Sequence, residues 1–134
     1  MDAEEADRLA ELAERETAYE LFQRARALLR RRHNAQAAVL LERADRLEPS
    51  KGSIVEALAR AYYNSGQHDR AAASFRELLE IDPSAHYGHF GLGQSLKQLG
   101  QPDEARVHLR LAAALAPDNT LYRNALARLA RARR

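Results

Sequence analysis

The chain has no cysteine and no tryptophan, one methionine, three phenylalanines and four prolines. Without cysteine there is no disulfide, no thiolate metal site and no cysteine nucleophile, so stability has to come from packing alone. Scarce large aromatics favour close-packed helices over a sheet. No apolar run reaches the roughly 18 residues of a membrane span, and the N-terminus is acidic where a secretory signal is basic and then hydrophobic. These features point to a cytoplasmic protein with no membrane association.

What the chain does contain is alanine and leucine, 27 and 20 of its 134 residues, within a hydrophobic share of 46% that suffices for one ordinary core. An all-α fold follows. Arginine outnumbers lysine 19 to 2, which together with the alanine content points to a GC-rich bacterial genome. Net charge is only +2, yet it is unevenly spread. Residues 1–17 carry Asp2, Glu4, Glu5, Asp7, Glu11, Glu14 and Glu16 against Arg8 and Arg15, a balance of −5. Residues 120–134 carry Arg123, Arg128, Arg131, Arg133 and Arg134 without an acid, a balance of +5.

Pro49, Pro83 and Pro117 stand 34 residues apart, each closing a similar segment: Arg46-Leu47-Glu48, Leu79-Glu80-Ile81-Asp82 and Ala114-Leu115-Ala116. A constant period means one structural unit copied along the chain. Counting back from the prolines gives units 18–51, 52–85 and 86–119, preceded by an acidic helical leader (1–17) and followed by a basic helix (120–134). Thr17-Ala18-Tyr19-Glu20 fits a capping box and predicts a kink or fresh helix start near Thr17.

Each unit reads as two helices around a polar turn. In the middle unit Val55, Leu58, Ala59 and Tyr62 form one buried face, and Gly66 ends the helix. Ala71, Phe75, Leu78 and Ile81 form the second face, and Pro83 stops it. The third unit repeats this with Leu92, Gly93 and Leu96, a stop at Gly100, Pro102 in a first helical turn, and then Ala105, Leu109, Ala112 and Leu115. The first has Leu21, Ala25 and Leu28, then Ala37, Leu41, Ala44 and Leu47. Arg32 stands where the others have glycine, so a turn of equal geometry costs roughly 1–2 kcal/mol there; Asn34 offers the chain another turn form. Ala37, Ala71 and Ala105 share one position, and Ala25, Ala59 and Gly93 another, as close helix approach requires.

With these residues the chain resembles the tetratricopeptide repeat family. The matches are Leu21, Ala25, Leu28, Ala37, Leu41, Ala44 and Pro49; Leu58, Ala59, Tyr62, Gly66, Ala71, Phe75, Leu78 and Pro83; and Leu92, Gly93, Gly100, Ala105, Leu109, Ala112 and Pro117. Arg24, Arg32, His68 and Pro102 depart from the pattern. The resemblance implies three repeats in an α–α superhelix of about seven helices, with a capping helix over Leu121–Arg131 that packs through Tyr122, Ala125, Leu126 and Leu129.

The resemblance also implies a concave groove that takes a peptide or another protein. Its lining would be Tyr19, Phe22, Arg26 and Arg30; Ser53, Glu56, Arg60, Tyr63 and Asn64; Tyr87, Phe90, Gln94, Lys97 and Gln98; and, from the cap, Leu121, Asn124, Arg128 and Arg131. Six cations face one acid there, with aromatics at matched sites, a composition suited to an acidic segment carrying apolar residues. Ordinary solvated arginines and half-buried aromatics would give the same list without binding anything. Chaperone-binding members hold a C-terminal carboxylate in a clamp of Lys, Asn and Arg; the corresponding positions hold Phe22, Arg26, Tyr87 and Gly91, so that activity is not expected.

No glycine-rich phosphate loop, paired catalytic carboxylates or nucleophile with a placed base occurs, so neither an enzyme nor a cofactor is expected. His86 and His89 lie three apart without a third ligand at helical spacing, and a packing role outweighs a metal. The run Arg30 to His33 reads as a solvated corner. Nucleic-acid binding through the basic C-terminal face ranks below an adaptor role because acids are interspersed through the chain. The opposed charge of the two ends also raises self-association, with Leu9 and Leu12 of the leader adding burial.

Overall fold

The computed structural model describes residues 1–14 and 16–132, without the side chains of 11–14. Leu12's side chain, Arg15, Arg133 and Arg134 therefore lie outside the described residues. Among those described the chain is all helix, with eight helices against the seven or so expected: α1 (Ala3–Glu14), α2 (Ala18–Arg30), α3 (Asn34–Leu47), α4 (Gly52–Asn64), α5 (His68–Ile81), α6 (His86–Gln98), α7 (Pro102–Leu115) and α8 (Thr120–Ala132).

The fresh start at Thr17 is real. Its hydroxyl accepts from the Glu20 amide at 3.1 Å, and the Glu20 carboxylate accepts from the Thr17 amide at 3.4 Å. Both orphan donors at the start of α2 are thereby satisfied.

Helices pack mainly on their sequence neighbours, α2 on α3, α4 on α5 and α6 on α7, with α3 on α4, α5 on α6 and α7 on α8 joining the pairs. The first helices also touch one another, α2 with α4 and α4 with α6. One apolar cluster runs from Ala25 to Leu129 through all the pairs. Ala25, Ala37, Ala59, Ala71 and Ala105 are fully buried. A methyl built on Gly93 would lie 2.8 Å from Leu109, so the hairpin of α6 and α7 closes on a residue without a side chain.

The turn within each pair has one geometry throughout. The amides of His33, Gln67 and Gln101 donate to the carbonyls of Leu28, Tyr62 and Leu96 at 2.9, 2.8 and 2.9 Å, and Arg32, Gly66 and Gly100 have φ of 63°, 81° and 76°. This is the closure in which the residue after the helix turns left-handed. Asn34 does not give the first turn another form; its side chain instead donates to the Arg32 carbonyl at 3.4 Å. Ser50 is a second non-glycine residue at positive φ, 62°, which the sequence did not announce.

Three expected core residues are not in the core. Leu47, Ile81 and Leu115 are exposed. Each is the last residue of its helix, at the edge of the loop to the next pair, where the partner helix no longer covers it. Leu28 and Leu126 are half-buried for similar lack of cover, α2 and α8 lying at the two ends of the stack.

Candidate functional site

The face built from the first helices is held in register by bonds between successive pairs. Tyr62 on α4 donates its hydroxyl to Glu42 on α3 at 2.7 Å; burial and this carboxylate push the phenol well above its ordinary pKa, so it stays a donor. Arg76 on α5 donates to Glu104 on α7 at 3.0 Å. Tyr122 on α8 shares a 2.8 Å hydrogen bond with His86 and stacks on Phe90 with ring centroids 4.8 Å apart. The last helix thus fixes the position of an α6 aromatic.

That aromatic belongs to a hollow of about 280 Å³ lined by Tyr63, Asn64, Phe75, Tyr87, Phe90, Gly91 and Gln94. Five of these are groove residues expected from sequence, and the structure brings them together. Phe75 and Gly91 were not among them. Phe75 comes from α5 and packs edge-on to Tyr87 with centroids 5.9 Å apart. Its ring occupies the space a side chain at residue 91 would need. A glycine in mid-helix was the available sign, because glycine there is unfavourable by about 1 kcal/mol relative to alanine unless something uses the space.

Arg60 does not line this hollow but holds Tyr87, which does. Its Nε donates to the Tyr87 hydroxyl at 3.3 Å, its guanidinium lies 5.3 Å from the Tyr87 ring centroid, and Nη2 is 3.5 Å from Glu56. The bond to Tyr87 raises the Arg60 pKa against the opposing effect of burial, so the cation persists. Part of its donor capacity is left for an incoming carboxylate.

Tyr19 and Phe22 line a separate hollow of about 200 Å³ with Ala18, Lys51, Ser53 and Ile54. Arg26 covers the Phe22 ring at 5.7 Å. The matched aromatics are unequal: Tyr19 is 67% exposed, whereas Tyr87 is half-buried against Phe75. Among the described residues no helix pair precedes that of Tyr19 to supply an equivalent of Phe75. Arg30, Lys97 and Arg128 are exposed and line neither hollow. At the first turn, Arg32 and His33 line a third, open hollow with Asn34, Ala35, Gln36, Asn64 and Ser65.

His86 and His89 diverge. His89 donates from Nε2 to the Pro83 carbonyl at 2.9 Å, and its Nδ1 lies 3.2 Å from Nδ1 of His108, a contact that sequence spacing did not show. With Nε2 committed as a donor, neutral His89 accepts at Nδ1 from His108. Burial and then His89 lower the His108 pKa. Among the described residues no three His, Asp or Glu side chains could hold one metal ion.

Tetratricopeptide repeat family models match residues 22–86 and 65–129. The chain belongs to the tetratricopeptide repeat family. Tetratricopeptide repeat domains are protein–protein interaction modules and generally non-catalytic. The chain is 34% identical over 99 residues to cellulose synthase operon protein C of Pseudomonas fluorescens (strain SBW25), a match covering 74% of this chain but only 8% of that protein. Solved structures of tetratricopeptide repeat proteins share the fold. The first repeat domain of Spaghetti (RPAP3), bound to an HSP90 peptide, superposes with a TM-score of 0.82 at 16% identity, covering 87% of this chain and 92% of that one. YrrB, described as having an unusual peptide-binding site, gives 0.80 at 22% identity over 87% of this chain and 60% of that one. Among the described residues no helix is long and apolar enough to cross a membrane.

Proposed function

We propose that this tetratricopeptide repeat chain is a non-catalytic adaptor that binds an acidic segment with one or two large apolar residues, taken from a partner protein. The observation that supports it most is the hollow between α4 and α6, where Tyr63, Phe75, Tyr87 and Phe90 form an aromatic floor and Tyr87 carries Arg60 on its hydroxyl and ring. An apolar side chain would enter the floor while a carboxylate engages Arg60 in a charge-assisted bond. Asn64 and Gln94 would meet the main chain of the ligand. Tyr19, Phe22 and Arg26 would hold a second apolar residue, and Glu56, Arg30, Lys97 and Arg128 would complete the field of the groove. The binding unit would be the repeats 18–51, 52–85 and 86–119 capped by 120–134. That peptide-bound and peptide-binding neighbours share the fold supports a peptide ligand, and the bacterial relative supports a bacterial setting.

The test is fluorescence anisotropy with a fluorescein-labelled Asp-Glu-Leu-Glu-Asp-Leu-Glu peptide. Wild type should bind it with an affinity that falls as salt rises, and the triple variant Arg26→Glu, Arg60→Glu, Lys97→Glu should not, with its helicity unchanged. Equal binding by both proteins would remove the reading. So would capture of nucleic acid alone from lysate at low salt.

A further inference from the structure

We infer that α1 is a ligand for the groove of a second copy of this chain, an inference that rests on the groove reading above. Among the described residues α1 packs on no other helix of its own chain to a substantial degree. Every residue from Met1 to Ala10 is exposed. A lone helix of about 12 residues is marginal in water, and such helices are normally stabilised by a surface that takes their apolar face. Ala6, Leu9 and Ala10 supply that face at three- and four-residue spacing, and Leu9 is 51% exposed. Asp2 organises the helix start, accepting from the Glu5 amide at 2.7 Å. Glu4, Glu5 and Asp7 then surround the apolar face with negative charge.

This is the chemistry that the groove is suited to accept. Leu9 would fill the floor of Tyr63, Phe75, Tyr87 and Phe90, and the carboxylates would face Arg60, Arg26 and Lys97. The charge balance of −5 over residues 1–17 against the basic groove and C-terminal helix would speed encounter and fix orientation.

A second copy fits better than the chain's own groove. Residues 16 and 17 are anchored, Thr17 by its capping box and Glu16 by its ion pair with Arg24. Among the described residues α1 has no substantial packing on α4 or α6 of its own chain. Leader into groove is a heterologous contact, which closes into a ring or a reciprocal dimer where the rotation allows and otherwise continues as an open chain, so association is concentration-dependent.

Sedimentation velocity of the full chain at low and moderate salt tests this with two charge-reversed variants. One carries Glu4→Lys, Glu5→Lys and Asp7→Lys, the other Arg26→Glu, Arg60→Glu and Lys97→Glu. Wild type should self-associate with salt sensitivity, and each variant alone should lose about tenfold or more in self-affinity. The two variants mixed one to one should associate again, since reversed leader meets reversed groove. A wild type that stays monomeric, or self-association that survives either reversal, overturns the inference. If wild type is monomeric yet binds the labelled acidic peptide, self-docking fails and the groove reading stands; if it does neither, both fall.

Discussion

Phe75 of α5 fills the space that residue 91 of α6 leaves empty: a methyl built on Gly91 would lie 2.2 Å from the ring's Cζ. The ring is 1% exposed, so it has little room to retreat except toward the hollow it floors. Gly91→Ala should therefore cost about 1–3 kcal/mol by overpacking, reduced by the roughly 1 kcal/mol that alanine gains in a helix. It should also weaken binding of the acidic-apolar peptide. Urea unfolding and anisotropy on the same variant check both; a more stable variant with intact binding would show that the ring moves freely.

Arg32 holds a left-handed backbone at φ 63° where the equivalent turns use Gly66 and Gly100. Arg32→Gly removes a strain of about 1–2 kcal/mol and adds about 0.5–1 kcal/mol of unfolded-state entropy. The variant should be more stable by about 0.5–1 kcal/mol, read as a higher denaturant midpoint at unchanged slope.

These turns also show what was legible beforehand. Gly66, Gly100 and the prolines announced their own breaks, because glycine and proline act on the chain locally. Thr17 announced a start through Glu20 alone. Ile81 looked like core because its spacing from Phe75 and Leu78 is right, yet burial depends on where the partner helix ends, which spacing does not contain. The hollow was legible in part: Tyr63, Asn64, Tyr87, Phe90 and Gln94 follow from repeat position, whereas Phe75 reaches it only because α6 has Gly91. The His89–His108 contact joins α6 to α7, and only the packing of those helices reveals it.

His108 gives the stability a pH dependence. Burial, then His89, lower its folded pKa below 6.5, while Glu104 opposes and Arg76 reinforces the shift. Below about 6.5 the unfolded state therefore binds more protons than the folded one, and stability falls as pH drops until the folded-state pKa is passed. Thermal melts from about pH 7 to 5 should show this decline, and His108→Gln should flatten it. An unchanged slope would assign the pH dependence to other groups.

Ala71 sits fully buried where α5 approaches α4. Ala71→Leu should overpack the pair and cost about 1–3 kcal/mol. A melt indistinguishable from wild type would contradict the close approach assigned to that pair.

The most direct test of the groove is amide chemical-shift mapping of the full chain titrated with the unlabelled acidic-apolar peptide. The account predicts the largest shifts at Arg60, Tyr63, Asn64, Tyr87, Phe90, Gly91 and Gln94, lost in the Arg26→Glu, Arg60→Glu, Lys97→Glu protein. Shifts confined to α3, α5 and α7, or none at saturating peptide, would contradict it.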